Sequence, residues 1–214
     1  MNSGADILPT SSRRPRQRPP REATRAAVLA AAEAVFVQQG FHRARIEAIA
    51  ERAGFTKGAV YSSFAGKDEI FLELLADRVE RRATLLAAAV ADVPDGPAKA
   101  RALGVALTVL MDSEPEWTPL MLEFWIHALR EPDLRARLAA LRQRLKQSAA
   151  AAFGARMSFS SEVAATVVFA LANGLALERL TDPDAVPATL LTAILERLLA
   201  ATARPPGGPA QRPA

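Results

Sequence analysis

The chain has no cysteine, one tyrosine (Tyr61) and only two histidines, His42 and His127. Without cysteine there is no disulfide, no thiolate nucleophile and no cysteine-based zinc site, and a cytoplasmic protein is expected. The histidines lie far apart in sequence. Paired carboxylates such as Glu178 with Asp182 have no accompanying E-x-x-H spacing. A helical-bundle enzyme therefore lacks its base, nucleophile or metal cluster, and neither a metal site nor a cofactor is expected. No uninterrupted run of eighteen apolar residues occurs, so no membrane span is expected. No apolar stretch follows the N-terminal arginines, so a secretory signal is not expected. Runs of β-branched residues are scarce and alanine is abundant. With half of 214 residues apolar, this predicts an all-helical chain of one or two domains with a sizeable core.

What is present is concentrated in residues 45–64, R-I-E-A-I-A-E-R-A-G-F-T-K-G-A-V-Y-S-S-F. Ile46, Ile49, Ala50 and Ala53 recur at helical spacing on one face. Gly54 follows where the chain must turn at positive φ. Phe55 is expected to plug the turn, and the Thr56 hydroxyl to cap the next helix. Val60 and Phe64 then face inward. Lys57, Gly58, Ala59, Ser62 and Ser63 face out, and such small or polar residues let a helix backbone approach the floor of a DNA groove. Tyr61 and Lys67 flank that face and suit phosphate oxygens. The plainer reading is a helical hairpin inside a bundle, with Lys57 merely solvated. The flanks favour the first. Residues 24–39 form a helix with Val28, Ala32, Val35 and Phe36 on one side and Gly40 as terminator. Asp68 and Glu69 complement the dipole of a long helix opening after Gly66.

Charge divides the chain at the same place. Residues 1–67 hold 11 Lys and Arg against 5 Asp and Glu, net +6, while the remainder holds 16 against 18, net −2. A positive N-terminal third suits a module that contacts nucleic acid. Arg13, Arg14, Arg16, Arg18, Arg21 and Arg25 cluster among Pro15, Pro19 and Pro20, and residues 1–21 are expected to be a disordered basic arm. Its role is either solubility or phosphate tracking. Residues 204–214 are expected to be a disordered tail.

With those flanks, T-R-A-A-V-L-A-A-A-E-A-V-F-V-Q-Q-G-F (24–41), the motif at 46–64 and G-K-D-E-I-F (66–71) together resemble the DNA-binding domain of TetR-family transcriptional regulators. The likeness covers residues 22–82. It implies an all-α homodimer with a three-helix helix-turn-helix domain at 22–82, whose motif occupies 45–64. A C-terminal helical-bundle domain at 83–203 would bind a small-molecule effector and dimerise. It further implies a ligand-responsive repressor on a palindromic double-stranded operator, released by its effector. The DNA-binding candidates are Arg45, Thr56, Lys57, Gly58, Ala59, Tyr61, Ser62, Ser63 and Lys67. The chain departs from the family pattern at Ala44 and Arg45, where a Thr or Ser often caps the first helix of the motif, and at Ser62 and Ser63, where bulkier residues are often found.

Beyond the motif, helices are predicted over 68–91, 98–111, 119–130, 132 to about 154, 160 or 161 to 180, and from after 187 to 203. Proline breaks separate them. The last two are the dimerisation candidates, through Val163, Val167, Leu171, Gly174 and Leu175 of one and Leu191, Ile194, Leu195 and Leu198 of the other. The stripe on the second is too wide for a single neighbour. Trp117, Met121, Phe124, Trp125 and His127 gather large polarisable side chains in one stretch, and with Asn173 they are the effector-site candidates. Aromatics at helical spacing are also what a core needs. The helix opening at 68 spans both domains and is the expected lever between them.

Overall fold

The computed structural model describes residues 21–152 and 160–202. Expectations about the basic arm before Arg21, the C-terminal tail and the end of the seventh helix near Gly154 concern residues outside it. The described residues hold nine α-helices and no strand: α1 (Arg21–Gln39), α2 (Ile46–Ala53), α3 (Lys57–Tyr61), α4 (Lys67–Val90), α5 (Pro97–Asp112), α6 (Trp117–Ala128), α7 (Pro132–Ala152), α8 (Ser161–Thr181) and α9 (Leu190–Thr202).

Local chemistry sets most of these boundaries. Gly54 sits at φ +73°, a left-handed conformation that closes α2 without the steric penalty a Cβ carries there. Ser160 accepts from the Val163 amide and caps α8. Pro97 lies in the first turn of α5, where its missing N–H costs nothing. The first helix starts at Arg21, earlier than the sequence indicates, so Arg21 belongs to α1 and not to an arm, and Arg25 lies within the expected helix. Arg25 donates to the Ser63 carbonyl at 2.6 Å, pairs with Glu73 and lies 4.3 Å from the Phe64 ring centroid. Its stem packs on apolar surface while its head finds acceptors.

Two apolar cores form. In the first, Val28, Phe36, Phe41, Ile49, Val60, Phe64 and Phe71 of the N-terminal helices meet Trp117, Leu120 and Phe124 of α6 and Leu134, Leu138 and Leu141 of α7. Phe124 stacks on Phe71 with centroids 4.4 Å apart and meets Phe41 edge-on at 5.1 Å. The N-terminal core is therefore completed by side chains from beyond residue 83. The second core joins the end of α4 to α5, α8 and α9 through Leu86, Leu103, Leu107, Ala165, Val168, Leu191 and Leu195. A Cβ built on Gly104 would stand 2.6 Å from the Thr192 Cα, so α5 and α9 approach backbone to backbone.

That packing decides where α9 spends its stripe. Leu191 and Leu195, expected at a dimer interface, are 3% and 1% exposed, taken up within their own chain. α8 is different. It is long and apolar enough, by length and composition, to cross a membrane, with a mean hydropathy of 1.5. Thr166 and Asn173 interrupt its apolar run, which is why counting unbroken runs passes over it. Only 22% of that window is buried, and Val163, Val167, Leu177 and Leu180 are exposed.

Candidate nucleic-acid interface and the cavity behind it

The second helix of the motif is held from both ends. Thr56 has extended backbone and its Oγ1 accepts from the Ala59 amide at 3.2 Å, a cap that stabilises by about 1 kcal/mol. Val60 is buried without residual exposure, and Phe64 anchors the exit. With α3 so fixed, Thr56, Lys57, Gly58, Tyr61 and Ser62 face solvent and Ala59 is half-buried. Lys57 pairs with Glu47 of α2 and lies 5.8 Å from the Tyr61 ring centroid. The hydrogen bond between them raises the Lys57 pKa and lowers that of Glu47, so the pair is ionised at neutral pH. The Ser62 hydroxyl donates to the Ala59 carbonyl at 2.7 Å. Arg45 is exposed at the start of α2, with extended backbone and no side-chain cap. The uncapped start expected from Ala44 is what the structure has; Ala44 is a buried core residue instead.

Two candidates lie elsewhere. Ser63 is 7% exposed and its carbonyl accepts from Arg25, so it does not belong to the outward face. The Lys67 ammonium donates to the carbonyls of Phe41, His42 and Ala44 at 2.8, 3.2 and 3.3 Å and lies 4.5 Å from the Phe41 ring centroid. Its three protons are consumed in closing the α1–α2 loop, and burial lowers its pKa. In sequence Lys67 flanks the outward face of the motif, which suits a phosphate contact. The loop carbonyls that claim it come from residues more than twenty positions away.

Behind this domain lies a cavity of about 300 Å³ between α4, α5, α6 and α8. Of the effector-site candidates, Trp117, Met121, Trp125 and Asn173 line it. Phe124 and His127 do not. Phe124 is fully buried in the first core, and His127 faces Asp68 of α4 at 3.2 Å. Neighbouring residues of an α-helix are turned about 100° from one another, so one short stretch of α6 serves two places. Asn173 donates to the Phe169 carbonyl one turn back. The residues passed over are Arg78 and Arg82. They continue the inward stripe of α4 (Phe71, Leu74, Leu75, Val79), and cations on an apolar stripe were the available signal. Arg78 is 3% exposed, pairs with Glu114 and lies 4.5 Å from the Trp117 ring centroid. Burial pushes its pKa down to about 10, so it stays charged at neutral pH. Arg82 also faces Glu114, at 3.6 Å, and donates to the Leu110 carbonyl at 2.9 Å.

A family model for bacterial regulatory proteins of the tetR family matches residues 28–74, and one for the tetracyclin repressor-like C-terminal domain matches residues 95–201. The chain belongs to the TetR family. It is a helix-turn-helix DNA-binding transcriptional regulator of that family, and its described residues have the all-helical architecture. It is 30% identical over 129 residues to the transcriptional activator FasR of Mycolicibacterium smegmatis, covering 56% of this chain and 59% of FasR. The chain thus spans under two thirds of that relative's length. The structure of FadR from Bacillus subtilis in complex with stearoyl-CoA superposes with a TM-score of 0.66 at 15% identity, over 82% of this chain and 97% of FadR. A regulator from Saccharomonospora viridis in complex with choline gives 0.62 at 22% identity, over 82% and 95%. At these identities the two structures speak to the fold.

In this TetR-family chain α6 is the element shared by both sites. Trp117, Met121 and Trp125 wall the cavity. On the other side Glu123 accepts from the His42 amide at 3.1 Å, Phe124 enters the N-terminal core and His127 meets Asp68. Of the dimerisation candidates, Val163, Val167 and Gly174 are exposed on α8, Leu171 and Leu175 are half-buried against the second core, and Ile194 and Leu198 are half-buried on α9.

Proposed function

We propose that this chain is a ligand-responsive repressor that binds a palindromic operator as a homodimer and leaves it when a small molecule fills the cavity. Residues 22–82 act as the DNA-binding domain and 83–203 as the effector and dimerisation domain. The observation that carries the reading is the double attachment of α6, cavity wall on one side and fastening of the DNA-binding helices on the other. A ligand that prefers a shifted α6 shifts the helices anchored to it. It acts only through its differential affinity for the two arrangements. The lever is thus α6 together with α4, where the sequence pointed to α4 alone.

On the DNA side Lys57, Gly58, Ala59 and Tyr61 meet the major groove, with Arg45 on the backbone and Thr56 and Ser62 at the edges. The Lys57–Glu47 pair opens as Lys57 turns to DNA. The exposed apolar line Val163, Val167, Gly174 and Leu177 on α8, left uncovered in one chain, supports a two-fold interface there. Ile194 and Leu198 of α9 border it, and Leu191 and Leu195 are left out. The stearoyl-CoA and choline in the two similar structures support a small molecule in the cavity without agreeing on its chemistry. FasR is named an activator, and repression is proposed from the family's habit.

Selection of bound fragments from randomised duplex DNA, followed by sedimentation of the complex, tests this. The expected result is an inverted repeat bound by two chains, with recognition helices about 34–36 Å apart. A single unrepeated site bound by one chain refutes the dimer. Activation of a reporter placed behind the selected site, in place of silencing, refutes repression.

A further inference from the structure

We infer that the cavity receives an amphipathic anion, a molecule with an apolar body and a carboxylate or phosphate head. This rests on the effector reading above and specifies its ligand. The walls are apolar, supplied by residues such as Leu86, Leu107, Met121 and Phe169, and among the described residues Arg78 and Arg82 are the only ionisable ones lining it. An adjoining cavity of about 110 Å³ shares those two arginines and adds Arg142 and Lys146. Among the described residues, no carboxylate lines either space. Composition does not account for this, because residues 68–214 carry a net negative charge. Among the described residues Glu114, from the α5–α6 connection, is the carboxylate that ion-pairs with Arg78 and Arg82, and Glu33 acts on Arg78 from farther away.

The hydrogen-bond inventory points the same way. Arg78 Nη2, Arg82 Nε and Trp125 Nε1 are buried without partners. Among the described residues, every buried side-chain polar atom left unsatisfied is a donor, and all belong to residues lining this cavity. Buried donors without acceptors are costly, and a ligand that brings acceptors removes the cost. Arg78 lies over Trp117, and Arg142 lies over Trp125 with its carbon 4.2 Å from the ring centroid, so both guanidinium planes are held before a ligand arrives. A cationic ligand meets like charge. A neutral alcohol has too few acceptors for the donors waiting. The volume falls at the low end for small-molecule sites and fits a head with a modest apolar body.

Both tryptophans of the chain line the cavity, so intrinsic fluorescence reports on it, with calorimetry as a second readout. Decanoate and decyl phosphate are titrated into the full chain beside decanol and decyltrimethylammonium. At least one anion is expected to bind about tenfold or more tightly than decanol, and the cation to bind weakest. Arg82→Gln is expected to lower anion affinity roughly 10- to 100-fold and leave decanol affinity unchanged. Trp125→Phe keeps a ring and deletes one donor. It is expected to weaken the anion several-fold, and it serves should Arg82→Gln fail to fold. A preference between the two anions assigns the head as carboxylate or phosphate, each in support. Equal binding of anion, alcohol and cation, no binding of any anion, or no loss in either variant overturns the proposal. Operator release is measured separately. An anion that binds through Arg82 without changing DNA affinity sustains the anion site and refutes the effector reading.

Discussion

Replacing Phe124 with alanine is expected to destabilise the DNA-binding half of the molecule, although the residue lies on α6. Phe124 is fully buried, stacked on Phe71 and edge-on to Phe41. Truncating a buried phenylalanine costs about 3–5 kcal/mol, the transfer free energy of the ring plus the hole it leaves. The two aromatic contacts place this site toward the upper end. For a chain of ordinary stability, roughly 5–15 kcal/mol, this is a large share. In urea, with a slope of about 2 kcal/mol/M, the midpoint falls by about 2 M. Operator affinity falls as well, because Phe36, Phe41 and Phe71 lose the ring that completes their cluster. Trp125→Ala, one residue along, is the control. Trp125 is half-buried on the cavity wall, so its truncation is expected to alter ligand binding with a smaller midpoint shift. Urea unfolding of both variants, beside gel-shift affinities, decides the matter. Should Phe124→Ala shift the midpoint by less than Trp125→Ala, α6 does not complete the N-terminal core and the coupling through it fails.

Lys67→Ala is expected to lower stability by about 1–2 kcal/mol, since three loop carbonyls lose an ionised donor, and to leave the salt slope of DNA binding unchanged. A slope smaller by about 0.9, read from affinities across a salt series, would restore Lys67 as a phosphate contact. Gly104→Val forces side-chain atoms into the Thr192 backbone and should separate α5 from α9, lowering the thermal midpoint; an unchanged midpoint means the helices do not approach so closely. Val167→Glu places a charge on the exposed line of α8 and is expected to yield folded monomers with weak operator affinity, checked by sedimentation and circular dichroism. A dimer that persists moves the interface off α8.

The recognition motif was readable from the residues because its signals are local. Gly54 needs only its own backbone angle, Thr56 only the amide three residues on, and Val60 and Phe64 only helical spacing. Helix boundaries followed proline and glycine for the same reason. The cavity was half readable. Trp117, Met121, Trp125 and Asn173 line it, but Phe124 and His127 turn the other way, and nothing in their spacing says which side of α6 faces which neighbour. Arg78 and Arg82 were hidden by the habit of assigning charge to the surface. Ser63 and Lys67 were assigned to the DNA face because the residues that claim them, Arg25 and the carbonyls of 41, 42 and 44, are distant in sequence.

By itself the order of residues determined the helices, the turn that sets α3 against α2, the polar face of α3 and the concentration of positive charge in the N-terminal third. These depend on interactions within a few positions, or on sums that ignore position altogether. Tertiary packing decided which residues on those helices are free to act. It gave Lys67 to a loop, Leu191 and Leu195 to the chain's own core, and Phe124 to the N-terminal core. It also turned two arginines of α4 into the cavity. Which surface a side chain meets depends on how helices far apart in the chain cross, and no local spacing encodes that.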